Sequence, residues 1–170
     1  MTQRDERTDR ADEHPNVVAV RSALRAAGVS GEVRLLPEAV HTAAAAASAL
    51  GVQVGQIANS LIFTAEFPDG DRPVLVLTSG AHRVDTARVA ELLGARALRR
   101  ATPDFVRKHT GQAIGGVAPV GHPAPVRTVV DATLGDHPLV WAAGGVPRAV
   151  FPTAFAELVR ITGGEPAEVS

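Results

Sequence analysis

The segment Ile114–Gly121 constrains the fold more than any other part of the sequence, because it places three glycines and a proline within eight residues. Glycine adopts positive φ angles and lets another backbone or a ligand approach closely, whereas proline fixes φ and removes a backbone donor. These properties are compatible with a loop whose backbone N–H groups face a carbonyl or a phosphate. The alternative that the residues leave open is a strand with a bulge and a tight turn.

Length and composition predict one domain without cross-links. The chain has 170 residues and no cysteine, which excludes disulfides, thiolate zinc sites and thiol nucleophiles. Residues 1–13 carry three arginines and five acids, so we expect a disordered, charged lead-in before a single domain over residues 14–170. This lead-in does not resemble a signal peptide, and no apolar run is long enough to span a bilayer. A cytoplasmic protein without membrane contact is therefore expected.

Apolar periodicity predicts an α+β domain built around one mixed sheet. Ala58–Glu66 and Pro73–Thr78 predict a β-hairpin, because Pro68–Asp71 between them is a turn sequence. Capping residues and glycines predict helices over 16–27, 41–50, 86–93, 102–108 and 153–161. Shorter strands are predicted at 32–36, 97–100, 126–130, 139–142 and 149–151.

The common catalytic templates are missing from the sequence. It has no nucleophile elbow, P-loop, helical zinc motif or dinucleotide fingerprint, and its six histidines do not fall at metal-ligand spacing. We therefore expect neither a metal nor a cofactor.

Polar residues gather instead at three places. They are the strand start at Asn59 and Ser60, the following strand end at Thr78, Ser79, Gly80, His82 and Arg83, and His122 after the glycines. Each also has a purely structural explanation, in strand-end hydrogen bonds, helix capping or a solvated turn.

A run of basic residues between 96 and 108 contains a single acid, Asp104. Beside a ligand cleft such a run contacts RNA phosphates, and elsewhere it is an ordinary solvated face. The chain after residue 13 has fourteen basic and thirteen acidic residues, which argues against broad binding to DNA. The phosphate contacts predicted for tRNA are Arg99, Arg100, Arg107 and Lys108.

The order of these motifs resembles the YbaK-like family, which is related to the editing domain of bacterial prolyl-tRNA synthetases. The resemblance runs from Val29 to Thr162 and rests on five segments: His41-Thr42 before an alanine-rich helix, Gln56–Phe63, the loop Ser79–Asp85, Gly115-x-x-x-Pro119 and Val150-Phe151-Pro152. It implies a mixed, partly closed barrel-like sheet surrounded by helices. It also implies a trans-editing deacylase that hydrolyses the ester between a wrong amino acid and the 3′ end of a tRNA, usually one for proline.

The resemblance further implies which residues form the site. In the family, the Gly-x-x-x-Pro loop places backbone donors around the aminoacyl carbonyl and the terminal ribose, and a strand lysine helps to hold the substrate. This sequence has Asn59 at the lysine position, which keeps a donor but removes the positive charge. The expected catalytic residues are Asn59, Gly115, Gly116 and Pro119. The expected substrate contacts are Ser60, Leu61, Thr78, Ser79, Gly80, His82, Ile114, Val117, Ala118 and His122.

Three functions stay open at this point. The first is a deacylase for a small amino acid on tRNA, with prolyl-tRNA synthetase as a partner, because a pocket of alanine, glycine and Leu61 favours small side chains. The second is a non-catalytic module with the same fold that holds tRNA ends or a small ligand, favoured by the lost lysine. The third is hydrolysis of another small ester, with His82 or His122 as the base.

Overall fold

The computed structural model describes residues 11–170. Residues 1–10, which make up most of the predicted charged lead-in, lie outside the described part of the chain. Within the remainder of the lead-in, the carboxylate of Asp12 forms an ion pair with Arg21 of the first long helix.

Each predicted helix and strand is present, most of them with shifted ends, and one further strand occurs near the C-terminus. The helices are α1 (Pro15–Ala26), α2 (Ala43–Leu50), α3 (Thr86–Leu93), α4 (Pro103–Thr110) and α5 (Phe155–Thr162). The strands are β1 (Arg34–Leu35), β2 (Ile57–Phe67), β3 (Gly70–Ser79), β4 (Ala97–Arg100), β5 (Arg127–Asp131), β6 (Val140–Ala143), β7 (Ala149–Thr153) and β8 (Glu165–Ala167). Single 3-10 turns span Val54–Gln56 and Ala132–Asp136.

Helix ends follow the capping chemistry. Helix α3 begins after Asp85, whose side chain accepts the backbone N–H of Arg88, and it ends at Gly94, where φ is 70°. Left-handed backbone at such a position favours glycine, so the predicted bounds of this helix are confirmed. Among residues 11–170, no helix combines the length and the apolar character that crossing a bilayer requires.

One mixed sheet organises the domain, in the order β1-β7-β6-β2-β3-β5-β8, with β4 pairing to β2. The hairpin of β2 and β3 is its longest pairing and runs from Ala58 opposite Ser79 to Phe67 opposite Gly70. Strands β6 and β5 run parallel to β2 and β3, respectively, while the other pairings of β2 are antiparallel. The outer strands β1 and β8 do not pair with each other, so the sheet curls without closing. The predicted mixed, partly closed α+β sheet is confirmed.

Strand β2 has an opening along the edge that faces away from β3. On that edge it pairs with β6 only at Ile57 and Ala58, and with β4 only from Phe63 to Glu66. In the described part of the chain, no strand pairs with residues 59–62 on this edge. The interruption leaves room for other parts of the chain, or a ligand, to approach the middle of β2.

Helices cover both faces of the sheet. Phe63 packs in one core with Val89 and Leu93 of α3, whereas Ile62 packs on the other face against a core that includes Val17 and Leu158. Successive strand residues point to opposite faces, which accounts for the separation of these two side chains. A third cluster packs Ala46 and Ala47 of α2 on Ile57, Trp141 and Val150.

Three local expectations differ from the structure. Strand β1 has two residues instead of the predicted five, and the unpredicted β8 pairs in parallel with β5. A three-residue segment containing Pro166 gives no strand signal of its own, so only its pairing with β5 reveals it. The glycine-rich segment contains no strand, so the strand-and-bulge alternative is wrong and the loop prediction is confirmed.

Candidate active site

A cleft of about 880 Å³ lies at the opening along β2. Its walls come from residues 57–63 of β2, the start of α2, the loop after β3, the end of β4 and the glycine-rich segment. Nine of the residues expected to contact substrate or tRNA phosphates line this cleft: Asn59, Ser60, Leu61, Thr78, His82, Arg100, Ile114, Gly115 and Val117. The fold therefore brings together segments that are far apart in the sequence.

Asn59 lines the cleft with a side-chain amide that is available for hydrogen bonding. It is exposed and lies directly opposite Thr78 in the pairing of β2 with β3. Its side chain forms no hydrogen bond with another described residue. Because a carboxamide has two N–H donors and an acceptor oxygen, Asn59 can bind either type of polar ligand atom.

Two buried polar atoms in the cleft wall also have no partner within the described chain. They are the Ser60 hydroxyl oxygen and the Trp141 indole nitrogen Nε1. A buried polar group without a hydrogen bond costs about 1–3 kcal/mol. A bound polar ligand that reached these atoms would remove that penalty, so their position supports a binding site.

Gly115 and Val117 supply backbone donors at the cleft. Gly115 has a φ of 96°, a left-handed conformation that favours glycine. Within the described part of the chain, the N–H groups of Gly115 and Val117 have no hydrogen-bond partner, and both residues line the cleft. Two such groups on one loop are suited to stabilising negative charge on an oxygen atom.

The other expected loop residues sit behind this surface. A Cβ added to Gly116 would lie 2.7 Å from the Cα of Val146, so this glycine permits close packing of the two loops. Its N–H is already donated to the carbonyl of Ala113. Ala118 and Pro119 are buried, and none of these three residues lines the cleft. The structure thus places Gly116, Ala118 and Pro119 behind the cleft lining, and their expected part in substrate binding stays a prediction.

Gln112 is a residue of this loop that the sequence did not single out. Its side chain is 1% exposed, and its carbonyl oxygen accepts the N–H of Ala118 at 2.7 Å. Its amide nitrogen donates to the Val120 carbonyl at 3.3 Å. A glutamine after a helix-ending glycine is normally exposed, so no sequence signal indicated that this one braces the loop from inside.

The loop after β3 carries a histidine that is held by a buried carboxylate. His82 Nδ1 lies 2.9 Å from Asp131 Oδ2, and Asp131 is 1% exposed. The same carboxylate accepts the N–H of Ser79 at 2.9 Å and both the N–H and the hydroxyl of Thr133. Burial by itself would raise the pKa of Asp131, but these hydrogen bonds outweigh it and lower the pKa below its ordinary value. The sequence indicated His82 but not Asp131, which lies 49 residues away.

Ser79 and Gly80, expected as substrate contacts, instead fasten this loop to the sheet. The Ser79 hydroxyl donates to the Gly55 carbonyl at 3.0 Å, and Gly80 donates its N–H to the Ile57 carbonyl at 2.8 Å. A Cβ on Gly80 would lie 2.5 Å from the Val54 carbonyl oxygen, so only glycine fits there. Neither residue lines the cleft.

His122 also lies outside the cleft lining. Its Nε2 is 2.8 Å from the carbonyl oxygen of Ala118, so the ring is held against the glycine-rich loop. Burial lowers the pKa of His122, and the hydrogen bond to the Ala118 carbonyl only partly offsets this effect. Of the two histidines proposed as a base, the structure places only His82 at the cleft.

The basic residues differ in whether they form ion pairs with acidic side chains and in whether they line the cleft. Arg99 donates to Glu66 at 2.7 Å and to Asp71 at 2.6 Å, and it lies outside the cleft. Arg107 and Lys108 are exposed on α4 and do not line the cleft either. Arg100 and Arg83 do line it, and neither forms an ion pair with a described residue. These two arginines are the cations available to an anionic ligand in the cleft.

The lining as a whole suits an anionic or ester-bearing ligand. No aspartate or glutamate is among the described residues that line the cleft. Over residues 11–170, no three histidine, cysteine, aspartate or glutamate side chains are grouped closely enough to hold a metal ion. The cleft therefore offers hydrogen bonds from Asn59 and the loop N–H groups, positive charge from two arginines, and the imidazoles of His41 and His82.

Comparison with known proteins places this arrangement in context. Residues 37–161 match the family described as the aminoacyl-tRNA editing domain. The proline–tRNA ligase of Levilactobacillus brevis is 33% identical over 97 residues, which are 57% of this chain and 16% of the ligase. The uncharacterised protein YwhH of Bacillus subtilis is 33% identical over 113 residues, 66% of this chain and 69% of YwhH.

A solved structure is similar over nearly the whole length of both chains. It is described as a candidate trans-editing enzyme for prolyl tRNA synthetase, and it shares 42% identity with a TM-score of 0.82. The match covers 92% of this chain and 97% of that one. The resemblance inferred from the motifs is thereby confirmed, and the chain belongs to the aminoacyl-tRNA editing domain family.

Proposed function

We propose that this protein is an aminoacyl-tRNA deacylase that acts in trans on a small amino acid wrongly attached to a tRNA for proline. The observation that carries the proposal is that Gly115 and Val117, whose N–H groups have no partner in the described chain, line the same cleft as Asn59. Family membership supplies the substrate class, since the matching family is an aminoacyl-tRNA editing domain.

The reaction needs few catalytic side chains, because an aminoacyl ester is already activated. Water adds to the ester carbonyl carbon, the carbonyl oxygen becomes negatively charged, and the bond to the ribose oxygen then breaks. Donors aimed at that developing charge lower the barrier by about 3–4 kcal/mol each. The N–H groups of Gly115 and Val117 are proposed to fill this role, and Asn59 to hold the carbonyl or the ribose.

Small side chains in the cleft wall support a small amino acid as the substrate. Ala43, Ala58 and Ala142 line the cleft together with Gly115. An apolar pocket separates substrates that differ by one methylene by only about 1–3 kcal/mol, so we expect graded selectivity among small amino acids.

Relatives support a tRNA for proline and an association with its synthetase. The matched Levilactobacillus protein is a proline–tRNA ligase, and the similar solved structure is described as an editing enzyme for that synthetase. The proposal places the protein in the cytoplasm with the translation machinery. Arg83 and Arg100 are proposed to contact tRNA phosphates and to replace the charge that Asn59 does not provide.

A second function is favoured by Asn59 itself. An uncharged residue at the lysine position fits a module that holds the aminoacylated end of a tRNA without hydrolysing it. Both functions predict tRNA binding in the same cleft, and only the deacylase releases a free amino acid.

The discriminating experiment follows release of labelled amino acid from tRNA for proline charged with alanine, serine or proline. We expect release of one of the small amino acids and little release of proline. The matched control is the same small amino acid on its own cognate tRNA, which should be hydrolysed more slowly. Saturable binding without release from any charged tRNA would contradict the deacylase proposal and favour the binding module.

A further inference from the structure

We infer that His82 is the proton-transfer group of the cleft and that Asp131 is its positioning residue. The inference rests on the proposed deacylase function and deepens it, because it assigns the base that activates the attacking water. His82 lines the cleft, whereas Asp131 lies behind it and acts through the histidine.

Hydrogen bonding fixes which nitrogen of His82 faces the substrate. Asp131 is ionised at neutral pH because its pKa lies below the ordinary value, so it only accepts hydrogen bonds. His82 Nδ1 must therefore carry the hydrogen that spans the 2.9 Å to Asp131 Oδ2. In the neutral ring, Nε2 then has a free lone pair, and no described residue forms a hydrogen bond with it.

The register of the sheet places this pair beside Asn59. Asn59 lies opposite Thr78, and Leu77 lies opposite Val130, so Thr78 and Asp131 are next to each other on neighbouring strands. Side chains directly opposite one another share a face of the sheet. Two strand spacings separate Asn59 from Asp131, about 10 Å between their Cα atoms. His82 and Asn59 line the same cleft, and we infer that the ester carbonyl and the attacking water bind between the His82 ring and the Asn59 amide.

The carboxylate is also rigidly held, as a positioning group requires. Thr133 donates its hydroxyl to Oδ1 at 2.7 Å and its N–H to the same atom at 3.0 Å, while Ser79 donates to Oδ2. These bonds leave little freedom for the carboxylate to rotate. An imidazole that gains a proton next to this carboxylate is stabilised by its charge.

The proton balance of the step is complete without a further reactant. As the water oxygen bonds to the ester carbonyl carbon, Nε2 takes one water proton. When the tetrahedral intermediate collapses, the bond between that carbon and the ribose oxygen breaks and Nε2 returns the proton to the ribose oxygen. The products are the free amino acid and the tRNA with its hydroxyl restored.

Several charged groups surround His82 and enter any test that uses pH. Asp131 faces it from β5, and Arg83, Arg100 and His41 share the cleft. His137 lies near the start of the same loop. Its Nε2 and the Ser79 hydroxyl are both close to Gly55, at 3.1 Å and 3.7 Å from the position that a Cβ on this glycine would take. A test that varies the pH must therefore compare His82 variants with variants of His41 and His137.

The decisive variant is His82→Asn, studied by single-turnover deacylation of the mischarged tRNA that the wild type hydrolyses. The asparagine amide reproduces the Nδ1–H donor to Asp131 but has no atom at the Nε2 position. We expect the rate to fall by about 100-fold or more, with an unchanged melting temperature. We also expect the loss of wild-type activity on acidification to disappear in this variant, while His41→Asn and His137→Asn keep it.

Asp131→Asn tests the positioning role. Its amide has a single acceptor oxygen, so it cannot accept the bonds from Ser79 and His82 at one position and those from Thr133 at the other, and it has no charge to stabilise a protonated ring. We expect a rate reduction of about tenfold or more together with a displaced pH profile. His14→Asn is the matched control, because His14 caps α1 outside the cleft and asparagine is also a good cap.

The outcomes separate the two proposals. An active wild type with a His82→Asn variant of equal rate and equal pH profile overturns the role of His82 and leaves the deacylase function in place. A wild type inert on every mischarged tRNA overturns both. If Asp131→Asn lowers the melting temperature without moving the pH profile of the residual activity, Asp131 is a structural residue only.

Discussion

The buried carboxamide of Gln112 lies 2.7 Å from the backbone nitrogen of Ala118 and ties the two ends of the glycine-rich loop together. The same side chain donates to the Val120 carbonyl, so both halves of the amide are used. Gly115 and Val117 lie between Gln112 and Val120, and their free N–H groups depend on this brace for their direction.

Replacing Gln112 tests how far the loop depends on that side chain. Gln112→Leu keeps the volume but leaves a backbone donor and acceptor unpaired, so we expect a loss of about 1–3 kcal/mol in unfolding free energy. Gln112→Glu still accepts from Ala118 but brings a carboxylate against the Val120 carbonyl. We expect this variant to be no more stable than Gln112→Leu. Urea unfolding and deacylation rates of the folded variants check both statements. Wild-type stability in both variants would contradict the brace.

Asn59 offers a graded test of the substrate contact. Asn59→Ala should lower hydrolysis by about 100-fold, the worth of one oriented donor. Asn59→Asp should be slower still, because a carboxylate repels both phosphate and the developing oxyanion. Asn59→Lys should hydrolyse the ester at least as fast as the wild type, since lysine adds a positively charged donor to the cleft. Equal rates for wild type and all three variants would show that Asn59 takes no part in the reaction.

Arg99 and Arg100 form a matched pair for tRNA binding. They are adjacent in β4, but Arg99 is held by Glu66 and Asp71 whereas Arg100 lines the cleft without an ion-pair partner in the described chain. Arg100→Ala should weaken tRNA binding and flatten its dependence on salt, while Arg99→Ala should leave the slope close to that of the wild type. Binding titrations at several salt concentrations measure both slopes. A larger change in slope for Arg99→Ala would reverse this assignment.

His122 makes the stability of the domain depend on pH. Because burial lowers its pKa in the folded state, the unfolded chain binds a proton more tightly there. The free energy of unfolding should therefore fall as the pH drops below about 6.5 and continue to fall until the folded pKa is reached. His122→Gln keeps a donor for the Ala118 carbonyl but does not titrate, so it should lose less stability on acidification.

Urea unfolding of both proteins at about pH 7.5 and about pH 5.5 measures this difference. His109, whose pKa is also lowered by burial and by Lys108, contributes equally to the two proteins and cancels. Identical losses of stability in wild type and His122→Gln would show that His122 is not the responsible group.

Much of the fold could be predicted from local sequence. The hairpin followed from two alternating segments on either side of Pro68–Asp71, and helix α3 was bounded by Asp85 and Gly94 through capping. These signals are reliable because turn and cap energies depend on residues only a few positions apart. Strand β8 gave no such signal, since its pairing with β5 alone defines it.

The sequence by itself determined the family, the mixed sheet and the loop at Ile114–Gly121, because each can be recognised from short motifs and apolar patterns along the chain. Only the tertiary structure decided which side chains meet. It set Asp131 behind His82, it buried Gln112 beneath the loop, and it paired Arg99 with acids while leaving Arg100 at the cleft. The physical reason is that hydrogen bonds and ion pairs between distant residues depend on strand register and packing, which local propensity does not encode.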